Sequence, residues 1–156
     1  MKHIPVGDGL TALVDDEDYE LVSKYSWHIN NGYARAWTPS INRKRKKVYM
    51  HSLIANTPKG MYTDHRNRNR LDNTRTNLRA VTPAQNSRNS GPRRTKKGVF
   101  KGAHRQGNRW TVTINVNAKN VYVGSFLNEE AAARAYDEKA RMLFGEYAYL
   151  NFPLAA

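Results

Sequence analysis

The chain has 156 residues, 39% of them hydrophobic, and is strongly basic: 26 Lys and Arg stand against 13 Asp and Glu, for a net charge of +13. It has no cysteine, which excludes disulfides, Cys-ligated structural zinc and thiol nucleophiles. This length fits one ordinary domain or two very small ones, and so basic a surface is typical of proteins that bind polyanions.

The first part of the chain predicts two β-hairpins. One spans residues 2–14 and turns at 7–9, and the other spans 27–37 and turns at Asn30-Asn31-Gly32. The apolar segment 48–55 fits either a strand or a helix. No apolar run reaches membrane-spanning length and no signal-peptide core follows the N-terminus, so we expect a soluble, cytoplasmic protein.

Residues 15–25 predict a short helix. Leu21, Val22 and Tyr25 fall on one helical face, and an acidic first turn suits the positive end of a helix. Acidic residues are concentrated here and again in 129–138. The stretch between these clusters is predominantly basic and is the expected nucleic-acid face.

The segment 62–89 combines side chains that suit phosphodiester hydrolysis. Asp64 offers a hard anionic oxygen to a divalent cation, and His65 is a base that titrates near neutral pH. Asn86 offers a second oxygen. This set is typical of a metal-dependent nuclease.

Two residues near this set have competing interpretations. Asn89 lies close to Asn86 on the same helical face and could replace it as a ligand. His51 follows Met50 in an apolar segment, which favours a partly buried core histidine with satisfied nitrogens over a ligand. Turn chemistry is the simplest account of the remaining asparagines, which are Asn67, Asn69 and Asn73.

Arginines are frequent around the predicted site, and a guanidinium can hold a phosphate with two hydrogen bonds. Arg79 and Arg88 adjoin the motif positions and are the first candidates for phosphate contacts. The other members of the cluster are Arg66, Arg68, Arg70 and Arg75.

Residues 90–97 predict a basic linker, because they include Gly and Pro and no large apolar side chain. A basic tether is expected to lie along a DNA backbone. Its predicted contacts are Arg93, Arg94 and Lys97.

The last part of the chain predicts a three-stranded antiparallel sheet packed on one helix. Residues 109–116 and 119–126 alternate apolar and polar side chains, and 98–105 supplies a third strand. Trp110 is expected in the core. The helix runs over 129–144 between an Asn128 cap and Gly145, and its predicted core-facing residues are Ala132, Ala135, Tyr136, Ala140 and Leu143.

Two families share motifs with this chain. His51-Ser52-Leu53-Ile54, Asp64-His65, Asn77-Leu78-Arg79 and Asn86-Ser87-Arg88-Asn89 resemble the HNH homing endonucleases of phages and introns. The second set resembles the APETALA2-type DNA-binding domain of plant ethylene-response factors: Gly98-Val99, Trp110, Val123-Gly124-Ser125-Phe126, Glu130-Ala131-Ala132, Ala135-Tyr136 and Leu150-Asn151-Phe152-Pro153.

The resemblances imply an α+β protein with two domains. The HNH unit would occupy 1–89, with a ββα-metal core at about 48–89. The basic linker would occupy 90–97, and the APETALA2-type domain 98–153. The host would be a bacterium or a phage-infected bacterium.

The HNH resemblance implies a role for each motif residue. Asp64 and Asn86 would hold one divalent ion, Mg²⁺ or Mn²⁺, and His65 would deprotonate the attacking water. Asn77 would fix the loop and orient the histidine. A monomer or weak dimer carrying one such site would nick double-stranded DNA.

The second resemblance implies that the polar face of the C-terminal sheet reads DNA bases in the major groove. Thr113 and Asn115 stand where plant members commonly carry charged residues, so a shared target sequence is not implied. The expected DNA-contacting residues are Lys101, Arg105, Arg109, Thr111, Thr113, Asn115, Asn120 and Tyr122.

Three functions are compatible with these features: a metal-dependent DNA endonuclease with a recognition domain, a DNA-binding regulator with an inert nuclease unit, and an RNA-binding protein. The complete set of Asp64, His65 and Asn86 favours the first. The outward face of the predicted sheet is mostly Thr, Asn and Arg, which disfavours aromatic RNA recognition.

Overall fold

A computed structural model describes residues 1–40, 44–92 and 99–153, so Arg93, Arg94 and Lys97 of the predicted linker lie outside the described residues. The chain divides into two compact units, Met1–Asn86 and Ser87–Ala156. The fold is α+β, as predicted, with several small sheets and helices. Within the described residues, no helix is long and apolar enough to cross a membrane.

The first unit is built from short elements. They are β1 (Lys2–Pro5), β2 (Thr11–Val14), α1 (Tyr19–Val22), β3 (His28–Asn30), β4 (Tyr33–Trp37), β5 (Lys47–Tyr49), α2 (Met50–Ala55), β6 (Tyr62–His65), β7 (Leu78–Val81) and α3 (Pro83–Asn89), whose last turn extends into the second unit.

Both predicted hairpins are present. β1 pairs with β2, β3 pairs with β4, and β5 adds to β4, all antiparallel. The second hairpin turns at Asn31 and Gly32, whose φ angles of 51° and 79° match the two-residue turn that follows the twist of the strands. The ambiguous segment 48–55 contains both structures, a strand end and then α2.

The predicted helix over 15–25 is wrong in its extent. Residues Asp16–Asp18 form a 3₁₀ turn, and α1 has a single turn that ends at Val22. The indole of Trp27 donates to the carbonyl oxygen of Val22 at 2.8 Å, and the chain turns away there. Leu21, expected in the core, lies on the surface.

The loop between β6 and β7 is fastened to the N-terminal elements. Leu13 donates its backbone N–H to Leu71 at 2.7 Å, and Asn73 donates back to Leu13 at 2.8 Å. Arg75 binds Asp18, whose side chain is almost fully buried, through Nε at 2.8 Å and Nη2 at 2.7 Å. The first hairpin and its acidic turn therefore support the loop that follows Asp64-His65.

The start of α3 is fixed by a reciprocal cap. Thr82 Oγ1 accepts from the backbone N–H of Gln85 at 3.2 Å, and Gln85 Oε1 accepts from the N–H of Thr82 at 2.8 Å. Pro83 occupies the first helical position, where its missing N–H costs nothing. This cap sets the position of Asn86 one turn later.

The second unit has an antiparallel sheet in the order β10-β9-β8, with α4 packed on it. Asn117 and Ala118, with φ angles of 50° and 64°, form the turn between β9 and β10. The bounds are β8 (Ala103–Gln106), β9 (Arg109–Val116), β10 (Lys119–Phe126) and α4 (Glu129–Phe144).

Helix α4 has the predicted ends. The Asn128 side chain accepts from the N–H of Ala131 at 2.8 Å, and Gly145 follows the last turn. Trp110 packs against the core, as expected, but Leu143 is exposed and the adjacent Phe144 is buried instead. The helix is therefore rotated relative to the face assigned from the sequence.

A buried carboxylate ties the end of the chain to α4. Asp137 accepts from the backbone N–H groups of Asn151 and Phe152, each at 2.8 Å. The Asn151 side chain in turn bonds both backbone groups of Lys101. These bonds link the C-terminal segment to the residues just before β8.

Candidate active site

Asp64 and His65 end strand β6 and are both buried, with 8% and 4% of their surfaces exposed. β6 pairs with β7 so that Asp64 lies opposite Arg79. Helix α3 follows β7 directly and carries Asn86. The three predicted residues therefore stand on a hairpin and the helix next to it in the chain.

Arg79 is directed at Asp64 and away from solvent. Its Nε donates to Asp64 Oδ2 at 2.9 Å, and its Nη2 lies 2.8 Å from the same oxygen. Both side chains are buried. A buried Arg–carboxylate pair has a defined geometry, so Arg79 holds the Asp64 carboxylate in place.

His65 is held by a buried asparagine. Its Nε2 lies 3.3 Å from Asn73 Oδ1, while Asn73 Nδ2 donates to the Leu71 carbonyl. The amide oxygen of Asn73 therefore faces the ring, and a hydrogen bond to it requires the tautomer with the proton on Nε2. In this tautomer Nδ1 is the basic atom.

The surroundings favour neutral His65. Burial lowers its pKa below the ordinary value of 6.5, although the Asn73 hydrogen bond and the charges of Asp64 and Asp72 act in the opposite direction. Arg70 adds a smaller lowering effect. A neutral imidazole at physiological pH can accept a proton.

Asn77 fixes the backbone of the loop. Its Oδ1 accepts from the N–H of Asn67 at 3.0 Å, and its Nδ2 donates to the carbonyl of Asp72 at 2.7 Å. This agrees with the loop-fixing part of its predicted role, while the side chain bonded to the histidine is Asn73.

The remaining loop asparagines divide into two kinds. Asn67 and Asn69 accept from backbone N–H groups two residues ahead, at 2.8 and 3.1 Å, which confirms the expected turn chemistry. Asn73 is fully buried and meets His65. Nothing in its sequence surroundings separated it from its neighbours, so its contact with His65 was missed.

His51 lies against the catalytic candidate. Its ring centroid is 5.2 Å from that of His65 and 5.0 Å from that of Tyr33, and the ring stacks on Tyr49. The residue is half-buried, as expected, but Nδ1 is buried without a hydrogen-bond partner among the described residues. Burial, reinforced by His65, lowers the pKa of His51 to about 4.

We expect His51 to make the protein less stable in acid. The folded state holds a pKa near 4 and the unfolded chain one near 6.5, so unfolding takes up a proton as the pH falls. The free energy of unfolding is therefore unaffected by protonation of His51 above pH 6.5. It falls by about 3 kcal/mol as the pH is lowered to 4.

Urea unfolding between pH 4 and 7.5 measures this effect, with His51→Gln as the matched variant. The variant should lose part of the acid dependence, and the part due to His65 should remain. Equal slopes of unfolding free energy against pH in both proteins would contradict the assignment.

The predicted metal ligands supply oxygen donors, the type that Mg²⁺ and Mn²⁺ prefer. Asp64 is fixed by Arg79, and Asn86 is half-buried on α3. In the described part of the chain, no three His, Cys, Asp or Glu side chains are grouped closely enough to hold a metal ion. An Asp–Asn pair is a different donor set and is compatible with a cation that keeps water or phosphate oxygens as its other ligands. Asn89 is buried at the end of α3.

Several predicted phosphate-binding cations have partners within the protein. Arg75 binds Asp18, and Arg70 donates to the Asn31 carbonyl at 2.7 Å. Arg88 packs over the Phe144 ring at 4.6 Å. Lys101 donates to the carbonyls of Ser87, Arg88 and Ser90 and so caps the C-terminal end of α3.

The polar face of the C-terminal sheet carries most of its predicted residues. Thr113 lies opposite Tyr122, and Asn115 lies opposite Asn120 with a 3.0 Å hydrogen bond between their side chains. Arg109, at the start of β9, binds Ser125 through its side chain. Tyr122 is 63% exposed.

Arg105 does not lie on this face, which corrects the prediction. A two-residue turn places Gln106 opposite Arg109, and Arg105 is therefore opposite Trp110. Trp110 lies on the face of the sheet that packs against the helix. Side chains directly opposite each other share a face. The residues of β8 on the polar face are therefore His104 and Gln106, and Gln106 accepts from Thr111 Oγ1 at 3.0 Å.

Known proteins resemble both parts of the chain. A family model described as HNH endonuclease matches residues 56–88. A protein of Acanthamoeba polyphaga mimivirus described as an uncharacterized HNH endonuclease is 33% identical over 146 residues, which are 93% of this chain and 76% of that protein.

The C-terminal part resembles plant transcription factors. An AP2-like ethylene-responsive transcription factor of Arabidopsis thaliana is 47% identical over 47 residues, 30% of this chain and 16% of that protein. An AP2/ERF and B3 domain-containing protein of Oryza sativa subsp. japonica is 47% identical over 58 residues, 36% of this chain and 16% of its own length. The Asp64-His65 hairpin and the likeness to the mimivirus protein along 93% of this chain agree: the chain is a nuclease and belongs to the HNH endonuclease family.

Proposed function

We propose that this protein is a divalent-metal-dependent endonuclease that hydrolyses phosphodiester bonds in double-stranded DNA. The observation that carries the proposal is His65, buried, neutral and oriented by Asn73 directly after the carboxylate of Asp64. A base with a defined tautomer next to a fixed oxygen donor is what hydrolysis of a phosphodiester requires.

His65 acts as the general base in this proposal. In this proposal Asn73 accepts a hydrogen bond from Nε2, and Nδ1 takes the proton of the attacking water. Asn77 holds the loop backbone, and Arg79 holds the Asp64 carboxylate. Asp64 and Asn86 are the residues that would hold Mg²⁺ or Mn²⁺, which when bound would stabilise negative charge on the leaving oxygen.

Recognition is assigned to the polar face of the C-terminal sheet. Its residues offer donors and acceptors of the kind that read base edges, and Arg109 adds charge for the phosphate backbone. The face comprises His104, Gln106, Arg109, Thr111, Thr113, Asn115, Asn120 and Tyr122. One active site per monomer is expected to nick one strand in each binding event.

The test is conversion of supercoiled plasmid carrying DNA from the native locus. Open-circle product should form with Mg²⁺ or Mn²⁺ and disappear with EDTA, and linear product would indicate paired cutting. Absence of conversion despite salt-sensitive binding would favour a DNA-binding regulator with an inert nuclease unit.

The metal assignment is tested with Asn86→Ala. The variant should raise the Mg²⁺ concentration for half-maximal nicking by about tenfold or more. Ser87→Ala is the matched control, because Ser87 is the exposed neighbour of Asn86 and its replacement alters the same helix without removing the proposed ligand. An unchanged requirement in Asn86→Ala, with a raised one in Asn89→Ala, would transfer the role to Asn89.

A further inference from the structure

The sheet β3–β4–β5 has one core face and one outer face. Ala34 and Ala36 of β4 are buried in the core of the first unit. The alternate residues point outward, and the strand register places side chains of all three strands beside them. This aromatic–basic face consists of His28, Asn30, Tyr33, Arg35, Trp37, Lys47 and Tyr49.

Cations on this face lie beside aromatic rings. The Arg35 guanidinium is 5.7 Å from the Trp37 ring centroid, and Lys47 Nζ is 5.8 Å from it. Arg35 also donates to His28 Nε2 at 2.9 and 3.1 Å. Trp37 is nevertheless 44% exposed, so a large apolar surface faces solvent between two positive charges.

The charge on the face has one sign. The three strands, all of them described, contain no Asp or Glu, and the exposed residues Lys44, Arg45 and Lys46 precede β5. Aromatic rings interleaved with Arg and Lys suit a sugar–phosphate backbone, because the cations meet phosphates and the rings pack on sugars. An acidic partner is therefore favoured by charge.

One end of the face reaches the candidate catalytic residue. The Tyr33 ring centroid is 5.9 Å from that of His65, and the Arg70 guanidinium lies 4.6 Å over the Tyr33 ring. From Tyr33 to Trp37, β4 extends about 13 Å at about 3.3 Å per residue. That length spans a few nucleotides of one strand, because the phosphates of a strand wind around the helix axis and lie farther apart than their axial spacing of about 3.4 Å.

We propose that the aromatic–basic face binds the backbone of the strand that is cut in duplex DNA, beginning at His65 and ending a few nucleotides away at Trp37 and Lys47. This inference rests on the proposed function for the choice of strand. It adds a DNA contact in the nuclease unit to the recognition face assigned to the C-terminal sheet.

Salt-dependent binding tests the charge contacts without requiring cleavage. The full chain carrying His65→Ala binds a labelled duplex in EDTA, and fluorescence anisotropy gives the association constant over a range of KCl. The logarithm of the association constant is plotted against the logarithm of the KCl concentration. The slope of this plot should decrease in magnitude by about 1 in Lys47→Gln and by about 2 in Arg35→Gln/Lys47→Gln, since each phosphate contact contributes about 0.9.

Lys24→Gln is the matched control, because Lys24 is an exposed cation of the same unit outside the sheet. Its slope should equal that of the parent. Circular dichroism melting shows whether each variant is folded. If loss of the Arg35–His28 bonds unfolds the double variant, the single variant Lys47→Gln is sufficient to test the proposal. Slopes equal to that of the control in both face variants would overturn the proposal.

Photocrosslinking locates the strand. Duplexes with 5-iododeoxyuridine at successive positions around the mapped nick should crosslink to the Trp37 peptide a few nucleotides to one side of the cut, on the cut strand. Trp37→Ala should remove the crosslink. Crosslinking only on the uncut strand would overturn the assignment. If the face variants reduce the salt dependence of DNA binding but the protein never nicks DNA, the binding face stands and the proposed nuclease function is overturned.

Discussion

Replacing His65 with asparagine or alanine is expected to lower the rate of DNA cleavage by about 10²–10⁴-fold with little change in DNA affinity. In the structure this imidazole is neutral because of burial and has its tautomer set by Asn73. Neither substitute can accept the proton of the attacking water. Single-turnover cleavage of saturating plasmid measures the rate, and anisotropy measures the affinity.

Two features of the experiment separate lost chemistry from lost structure. His65→Asn keeps a polar side chain beside Asn73, whereas His65→Ala leaves a cavity next to the rings of Tyr33 and His51. His3→Ala serves as the histidine control, since His3 is exposed on the first hairpin and should leave the rate unchanged. Near-normal cleavage by folded His65→Asn protein would exclude His65 as the base.

Local sequence signals were sufficient for much of the fold. Asn31-Gly32 turns the hairpin expected of it, and Asn128 caps α4 through its side chain. Each signal acts over a few residues, so it can be interpreted without knowledge of the rest of the chain. Asp64 and His65 were predicted from their chemistry and also match the HNH motif, and they lie at the end of one strand.

Long-range contacts were not predictable from the sequence. Arg75 binds Asp18 from far along the chain, in the segment where the helix over 15–25 was predicted too long. Arg105 was assigned to the wrong face because a shift of one residue in strand register exchanges the two faces.

In the candidate site, too, the sequence indicates the type of residue, and only the fold determines its contacts. That Arg79 opposes Asp64 follows only from the pairing of β6 with β7, whereas the sequence alone predicted a phosphate contact for this arginine. Asn73 is one of several asparagines in the loop, and its contact with His65 distinguishes it from the others. Composition identifies the type of chemistry, whereas the packed loop determines which amide reaches the imidazole.

Gly102→Ala is expected to destabilise the second unit by about 3 kcal/mol or more. Gly102 has a φ of 81°, and a Cβ built there would lie 1.9 Å from Cδ2 and 2.4 Å from Cε2 of Tyr136. The Tyr136 ring is buried against the sheet, so it cannot move aside without opening the core. Backbone strain contributes about 1–2 kcal/mol of the loss, and overpacking contributes the remainder.

Gly107→Ala separates these two contributions. Gly107 also has a positive φ, of 58°, but a Cβ there would meet no atom within 4 Å. It should therefore cost only the backbone strain of about 1–2 kcal/mol. Hydrogen exchange of the β9 amides reports the opening free energy of this sheet in the full chain. Equal losses in the two variants would mean that Tyr136 does not close the space above Gly102, whereas a markedly larger loss in Gly102→Ala would show that the glycine is required for α4 to pack on the sheet.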